Sequence, residues 1–480
     1  MRYEAVIGLE IHVQLNSPTK LFCDCPNDPS LPPNTAVCPV CLGLPGALKQ
    51  FGRVPRDKAV LSCLALNCEV QPVSAFDQKV YYYPDLPRGY QLSQFHRPLG
   101  KNGWLEVPGE DGSWRRLRIR EAHMEEDVAR LVHGTEGRRR FSLVDFNRAG
   151  APLVEIVTEP DMRSPREAME FIRMLRASLR YAGTAECSME EGTLRADANV
   201  SIRPEGSPEF FSKVEVKNLN SIRHLGAAVA YEIARQTELV AEGKPVTLHT
   251  RLWDPERGVT TPMRGKFAGP CVPDPSVPPV SVSVELVEEL KNRLPKMPAA
   301  RRKEYGRLPG LTPEDAEQMS SERDLADYFE TLLAAGGPPK AAVDWINNRL
   351  RPLLRERNQS PGETPVTPER LAELILLVEK KEISSSAGKK VLAQLFESGL
   401  SPAELAEKEG LGGISDAETL EKIVEAVIVG NPDAVNDYRG GRKPALGFLV
   451  GRAVQAAAGR ADPKELRRRL EERLNPGGKQ

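Results

Sequence analysis

The sequence has 480 residues, a length that corresponds to about two to four domains. It contains 66 Lys and Arg against 67 Asp and Glu, and this balance excludes a chain that binds nucleic acid through an overall positive charge. Hydrophobic residues make up 40% of the chain, which suffices for globular cores and excludes disorder as the dominant state.

Three segments alternate between apolar and polar residues, as half-buried strands do. They are residues 9–15, 194–203 and 213–217, and the first carries Glu10 and His12 on its polar side. Alternation of this kind is typical of an antiparallel sheet that is covered on one face and open on the other. We therefore predict such a sheet, with its open face as the candidate active surface.

Helical patterns lie between and after these strands. Residues 164–181 open with Ser164 and Glu167 in the spacing of a capping box, and a second helix is predicted over 225–241. After the proline-rich residues 270–280 the chain becomes mostly helical, and residues 410–415 resemble a linker. Four further helix starts are marked by a capping residue followed by proline: Thr312, Thr367, Ser401 and Asp462. The fold class is therefore α+β.

Four of the eight cysteines are close together in sequence, as Cys23-x-Cys25 and Cys38-x-x-Cys41. The chain has no apolar run of the roughly 18 residues that span a membrane, and its N-terminus lacks the pattern of a secretory signal, so we expect a soluble, cytoplasmic protein. In that compartment the spacing favours a closed, structural zinc site over disulfides, with four reduced cysteines as the alternative. The other cysteines, Cys63, Cys68, Cys187 and Cys271, are expected to be buried packing residues.

Acidic residues gather at three places within the sheet-like part of the chain. The groups are Glu10 with His12, then Glu125, Glu126 and Asp127, then Glu190 and Glu191 before a strand with Asp197 and Asn199. Each group alone is more often a solvated cluster. Together, oxygen ligands with one imidazole suit magnesium, which commonly organises nucleotide phosphates.

Basic and amide groups suited to binding an anion follow in the sequence. They are Asn147 and Arg148, then Lys213, Lys217, Asn218 and Asn220. Such groups stabilise charge on a phosphoryl group in transfer. The sequence has no GxxxxGK[ST] loop, so a P-loop does not hold the phosphates.

The sequences of two segments each allow two interpretations, one functional and one structural. The tyrosine-rich residues 81–96 could stack a base or could form a turn with core tyrosines. The last module has a local basic excess that could contact an RNA backbone or could be a solvated helix surface: Tyr438, Arg439, Arg442, Lys443, Arg452, Arg460 and Arg467 to Arg469.

Long, ordered motifs across nearly the whole chain resemble the B subunit family of the aspartyl/glutamyl-tRNA(Asn/Gln) amidotransferases. The motifs are GLEIHVQL, CPVCLGLPG, YYYPDLPRGYQLSQ, HMEEDVARLVH, DFNRAGAPLVEIVTEPD, SMEEGTLRADANVSIRP, EVKNLNS and NPDAVNDYRGGRKPALGFLVG. The resemblance implies three parts, which we place at residues 1–292, 293–410 and 411–480. These are a cradle like the catalytic fold of glutamine synthetase and guanidino kinases, a helical domain and a tRNA-binding helical tail.

The resemblance also implies a reaction and partners. ATP would phosphorylate the side-chain carboxylate of Glu-tRNA(Gln) or Asp-tRNA(Asn), and ammonia would then displace phosphate. A glutaminase A subunit would supply the ammonia and a small C subunit would complete a heterotrimer, with the cognate aminoacyl-tRNA synthetase a further candidate partner. The alternative that we keep open is a non-catalytic, zinc-containing scaffold that binds tRNA. A hydrolase is a third reading.

By position, the resemblance assigns Glu10, His12, Glu125 and Glu190 to magnesium, with Asp197 in reserve. It assigns the four clustered cysteines to zinc, and nucleotide or acyl-phosphate binding to basic and amide residues. Arg148, Lys213 and Lys217 would be catalytic, and Arg148, Asn147, Lys213 and Asn218 would bind the nucleotide. The segment 266–280 departs from the family pattern, retaining Pro273-Asp274-Pro275 and two later prolines.

Overall fold

A computed structural model describes residues 2–109, 111–209, 211–263, 269–411, 417–457 and 460–475. The chain divides into two compact units, residues 1–300 and 301–480. Most of the linker predicted at 410–415, and the start of the divergent segment at 266–280, lie outside the described residues.

The first unit is built on strands that alternate between buried and exposed side chains. The strands are β1 Tyr3–Gln14, β2 Glu69–Val70, β3 Val73–Val80, β4 Tyr90–Arg97, β5 Gly100–Pro108, β6 Trp114–Glu126, β7 Arg130–Glu136, β8 Arg139–Asp145, β9 Pro152–Thr158, β10 Leu194–Pro204, β11 Val214–Lys217, β12 His249–Asp254, β13 Val259–Met263, β14 Cys271–Pro273 and β15 Val280–Ser281.

One large sheet holds most of these strands, in the order β13-β12-β11-β10-β1-β9-β6-β4-β3-β14. Strands β11 and β12 are parallel, whereas the neighbours of β1 and β6 are antiparallel. Strands β7 and β8 pair with each other in a separate two-stranded sheet. The antiparallel character that the alternation predicted is therefore confirmed for the centre of the sheet.

Among the described residues of this unit, four helices follow or interrupt the strands: α1 Arg53–Ala65, α2 Pro165–Tyr181, α3 Ile222–Ala241 and α4 Val284–Lys291. Helix α2 packs on β5 and α3 packs on β10. The apolar side chains of β1, such as Leu9 and Ile11, lie with those of α2, such as Phe171, in one buried core. Because helices cover this face of the sheet, its polar row faces the other side.

The rest of the chain is helical. Its elements are α5 Pro298–Tyr305, α6 Pro313–Ser320, α7 Arg323–Ala334, α8 Pro339–Trp345, a π-helical turn Ile346–Leu350, α9 Arg351–Glu356, α10 Pro368–Glu379, α11 Ser385–Leu395, α12 Pro402–Lys408, α13 Ala417–Gly430, α14 Pro432–Arg439, α15 Pro444–Ala456 and α16 Pro463–Leu474. The last four helices share a core of their own, which includes Leu420, Leu449 and Leu470.

The four capping residues predicted for the helical part are confirmed: Thr312, Thr367, Ser401 and Asp462 are N-caps of α6, α10, α12 and α16. The capping box predicted for α2 is only half formed. Ser164 accepts a hydrogen bond from the Glu167 amide, but the Glu167 carboxylate bonds Arg163 N and Arg115 instead. Cys63, Cys68 and Cys187 are buried as expected, while Cys271 is half-buried on β14.

Candidate active site

A cleft of about 330 Å³ opens on the polar side of the large sheet. Its walls combine carboxylates, one imidazole and cationic side chains: Glu10, His12, Lys79, Val80, Tyr81, Gln91, Asp127, Val128, Leu153, Arg195, Asp197 and Lys217. These residues come from strands β1, β3, β4, β10 and β11, from the start of β9, from the residue after β3, and from the turn after β6. The open face predicted from the alternation is therefore a real concave site.

Strand register explains why distant residues meet in this cleft. On β1, Glu10 is opposite Asp197 of β10 and His12 is opposite Arg195. On its other edge, His12 is opposite Glu155 of β9, which is itself opposite His123 of β6. Directly opposed side chains of an antiparallel pair lie on the same face, so His12, Glu155 and His123 form one row across three strands.

Glu155 is the anionic centre of that row. Its Oε2 lies 3.1 Å from His123 Nε2 and 3.4 Å from His12 Nε2, and only 5% of the residue is exposed. Burial favours the neutral carboxyl, but the two imidazoles prevail and hold the pKa of Glu155 well below its usual range. Burial likewise opposes the charge on His123, but the neighbouring carboxylates of Glu125 and Glu155 raise its pKa to about 10.

Glu125 is fully buried beside this row. Its Oε2 accepts a hydrogen bond from Gln91 Nε2 at 3.1 Å and lies 3.7 Å from His12 Nε2. Its Oε1 has no hydrogen bond among the described residues, and the nearest cations there are Lys79 Nζ at 3.6 Å and His123 Nε2 at 3.7 Å. A buried carboxylate oxygen in this state is costly and suits coordination of a cation.

The cations of the cleft are held by acids at its edge. Lys217 Nζ lies 2.5 Å from Asp197 and 2.8 Å from Glu215. Burial opposes its charge, but these carboxylates raise the pKa of Lys217 to about 12. Arg195 pairs with Asp127 at 3.1 Å. Positive charge is therefore fixed on two sides of the acidic centre, as binding of a polyanion requires.

Two sets of side chains bring possible ligand atoms within 4.8 Å of one another: Glu10, His12 and Glu155, and His123, Glu125 and Glu155. Burial, together with Glu155, raises the pKa of Glu10, so the acids repel one another without a cation between them. Crowded carboxylates, the partnerless Glu125 oxygen and adjacent imidazoles fit a divalent metal ion.

Two family profiles match the sequence. The profile described as the GatB/GatE catalytic domain matches residues 5–288, and the profile described as the GatB domain matches residues 327–474. The chain belongs to the GatB family.

Curated relatives of this GatB chain agree with the profiles over the full length. Three of these relatives are B subunits of aspartyl/glutamyl-tRNA(Asn/Gln) amidotransferases. The one from Syntrophus aciditrophicus (strain SB), numbered 1 in that organism, is 54% identical, with 100% of both chains covered. The one from Carboxydothermus hydrogenoformans is 45% identical over 98% of this chain and 99% of its own. The one from Moorella thermoacetica is also 45% identical, over 99% and 100%. The family resemblance inferred from the motifs is confirmed.

In this GatB chain the structure brings together part of the predicted site. Glu10, His12, Asp197 and Lys217 line the cleft, and Glu125 lies behind His12. Glu190, in contrast, is exposed in the turn before β10, and Lys213 is exposed just before β11. Neither of these two side chains is part of the cleft lining.

The amide and guanidinium side chains that were predicted to bind an anion form hydrogen bonds with backbone atoms. Asn147 Oδ1 accepts a hydrogen bond from Ala36 N, and its Nδ2 donates to the carbonyls of Leu31 and Pro32. Arg148 donates from Nε to Val128 O and from Nη2 to Ala129 O. Asn218, with a positive φ of 70°, donates to Trp253 O. In the structure these three residues shape the loops around the cleft.

The sequence patterns did not indicate four residues of the site: Glu155, His123, Lys79 and Arg195. Glu155 had a signal, because it is a single acid within the apolar run PLVEIVT, where an unpartnered charge would be costly. His123 lies next to the acidic group 125–127 on the same strand. Glu155 and His123 meet His12 only because the sheet has the strand order β1-β9-β6. The hydrophobic periodicity of the sequence does not reveal that order.

The four cysteines at positions 23, 25, 38 and 41 form one cluster, with sulfur atoms within 4.8 Å of one another. Fully buried Lys20 places its Nζ 3.6 Å from Cys41 Sγ and 3.2 Å from Phe146 O. Interactions with Cys23 lower the pKa of the Cys41 thiol to about 4. Four converging thiol groups beside a cation fit a tetrahedral zinc ion.

Part of the basic excess in the tail is ion-paired on the helix surface. On α16, Arg467 pairs with Glu471, Arg468 with Glu465, and Arg469 with Glu421. These pairs favour a solvated, ion-paired helix surface for this part of the basic excess. Among the described residues, no helix is long and apolar enough to cross a membrane.

Proposed function

We propose that this chain is the B subunit of a tRNA-dependent amidotransferase and that it activates the side-chain carboxylate of Glu-tRNA(Gln), Asp-tRNA(Asn) or both. The observation that carries the proposal is the cleft, where a buried acid and imidazole row is flanked by Lys79, Arg195 and Lys217. A non-catalytic scaffold has no need for such a costly arrangement of buried charge.

The acids and His12 are proposed to hold magnesium. Glu10, His12 and Glu125 remain candidate ligands, Glu155 joins them, and Asp197, which lines the cleft, replaces Glu190 as the next choice. Bound magnesium would neutralise charge on the phosphates of ATP. Gln91 orients Glu125 through its side-chain amide, and Glu155 orients both imidazoles.

The proposed chemistry has two steps. A carboxylate oxygen of the aminoacyl side chain attacks the γ-phosphorus of ATP, the bond to the bridging oxygen breaks, and ADP leaves. Ammonia then attacks the acyl carbon, phosphate leaves with the C–O bond electrons, and the nitrogen loses a proton. Lys79, Lys217 and Arg195, which line the cleft, would bind phosphoryl oxygens, whereas Arg148 and Lys213 would assist from outside it.

Ammonia is proposed to come from a glutaminase A subunit, with a small C subunit completing the heterotrimer. Zinc is proposed for the cysteine cluster, where it would stabilise the loop 23–41 without taking part in the chemistry. The division into a cradle at 1–292, resembling glutamine synthetase and guanidino kinases, a helical domain at 293–410 and a tail at 411–480 is likewise proposed. The separate apolar core of the last four helices supports the tail.

A Glu125→Gln variant tests the proposal in the reconstituted heterotrimer. Transfer of labelled phosphate from ATP to misacylated tRNA should fall by at least about a hundredfold, because a buried ligand charge is lost. Glutamine hydrolysis by the A subunit should persist. Glu191→Gln, which changes an exposed acid, is the matched control. Full phosphoryl transfer by Glu125→Gln would remove Glu125 from the site, and a wild-type heterotrimer that consumes no ATP would favour the scaffold.

A further inference from the structure

The β7–β8 hairpin, residues 130–145, emerges from the edge of the cleft. Val128 lines the cleft, β7 begins two residues later at Arg130, and β8 returns to Asp145. The strands pair only with each other within the described residues, from Arg130↔Asp145 to Glu136↔Arg139. At roughly 3.3 Å per residue, each strand extends about 23 Å. The hairpin is therefore an arm attached directly to the cleft.

Hydrogen bonds fix the base of this arm just before β7 and at the end of β8. Arg148 donates to the carbonyls of Val128 and Ala129 just before β7. On the other side, Asn34 Nδ2 donates to Val144 O, and its Oδ1 accepts from Phe146 N. Asn34 belongs to the loop between the two cysteine pairs. The arm therefore has a fixed origin relative to both the cleft and the cysteine cluster.

Positive charge is concentrated at the free end of the arm. Arg138 lies in the turn, which begins with Gly137 at a positive φ of 58°, and Arg139 and Arg140 follow at once. All three arginines are exposed. The arm contains four arginines against two acids, and one of those acids, Asp145, already accepts hydrogen bonds from the amides of Asn34 and Asn147.

One face of the arm also carries exposed apolar side chains. Val132, Phe141 and Leu143 are 45%, 38% and 61% exposed, and strand alternation places them together with Arg130 and Arg139. Phe141 lies across Gly134, where an added Cβ would be 2.4 Å from the ring. Glu136 and Asp145 share this face, directly opposite Arg139 and Arg130, so its charges balance. The charge that attracts a polyanion is at the free end of the arm, where Arg138 lies in the turn and Arg140 is opposite the uncharged Thr135.

We infer that the β7–β8 hairpin is a docking surface for the acceptor arm of tRNA. The inference rests on the proposed function, because the aminoacyl end must enter the cleft while the helix leading to it lies outside. Arg138, Arg139 and Arg140 contact backbone phosphates of that helix, and the exposed apolar face lies against the single-stranded end. The arm thereby orients the tRNA end toward the cleft.

The test measures binding of an RNA minihelix that carries only the acceptor arm. In the heterotrimer, the combined variant Arg138→Ala, Arg139→Ala and Arg140→Ala should weaken minihelix binding about tenfold or more and reduce its dependence on salt concentration. Arg257→Ala is the matched control, because Arg257 is exposed in the turn between β12 and β13. That control should bind the minihelix like the wild type.

Unchanged minihelix affinity in the combined variant would overturn the inference. Weaker assembly with the A or C subunit, at unchanged minihelix affinity, would instead identify the arm as a protein-docking surface. Phosphoryl transfer at saturating full-length misacylated tRNA separates this inference from the proposed function. Transfer that persists in the variant leaves the cleft chemistry intact, whereas its absence in the wild type would defeat the proposed function independently of the arm.

Discussion

Replacing Glu155 with Gln tests the buried row most directly, because it removes one charge and almost no volume. The pKa of His123 is about 10, three units above pH 7, which corresponds to about 4 kcal/mol of stabilisation of the charged ring. Two neighbouring carboxylates, Glu125 and Glu155, share that effect, because both raise the pKa of His123. We therefore expect Glu155→Gln to destabilise the metal-free first unit by about 2 kcal/mol at pH 7.

The pH dependence of this loss has a definite sign. A histidine whose pKa is raised by folding stabilises the protein fully below its unfolded pKa of about 6.5. That stabilisation is lost as the pH rises through about 10. The difference in unfolding free energy between wild type and Glu155→Gln should consequently be largest near pH 6 and should shrink progressively between pH 7 and pH 10.

Chemical denaturation of the metal-free chain at pH 6, 7.5 and 9 measures this difference. The active heterotrimer provides a second measurement, the magnesium concentration that supports half-maximal phosphoryl transfer, which should rise about 10- to 100-fold. Glu159→Gln, one residue past the end of β9 and half-buried, is the control for both. Equal unfolding free energies at all three pH values, together with an unchanged magnesium requirement, would refute the role assigned to Glu155.

Three further variants probe other parts of the first unit. Cys25→Ser should lower the zinc content and the thermal melting temperature of the purified chain, and an unchanged metal analysis would contradict a zinc site. Lys217→Met should raise the KM for ATP about tenfold without changing glutamine hydrolysis, and an unchanged KM would exclude phosphate binding by Lys217. Asp274→Asn should destabilise the fold by about 2 kcal/mol in denaturant unfolding, because Lys49, at 2.8 Å from Asp274, loses its buried counter-charge; an equal midpoint would show that Lys49 is satisfied by its other partners.

Much of the fold was predictable because local patterns determine it. Ser164 and the four Ser, Thr and Asp caps begin helices where the sequence indicated. Strand β1 was placed correctly but too short, since it begins at Tyr3. Residues 5–9 of this strand are all buried, so the alternation that signals a half-buried strand is missing there.

The site was less predictable than the fold because its residues come from strands far apart in sequence. Glu10, His12 and Asp197 were found because each is in a polar row of an alternating strand. Glu155 was overlooked because its neighbours in PLVEIVT are apolar, and only the position of β9 between β1 and β6 reveals its partners. Glu190 and Asp197 are seven residues apart in sequence, and the β10 register is what places Asp197 opposite Glu10.

Asn147 and Arg148 show how a loop without a cleft-lining side chain can still shape the cleft. Asn147 fixes the segment 31–36 between the cysteine pairs, while Arg148 fixes the carbonyls that follow Asp127 and lies 3.5 Å from that carboxylate. Asp127 in turn holds Arg195 in the cleft. Since all of these contacts belong to one continuous network, loss of the cysteine cluster should displace Arg195 and the β7–β8 hairpin together. The cysteine cluster can therefore influence the shape of the cleft through position alone, without lining it.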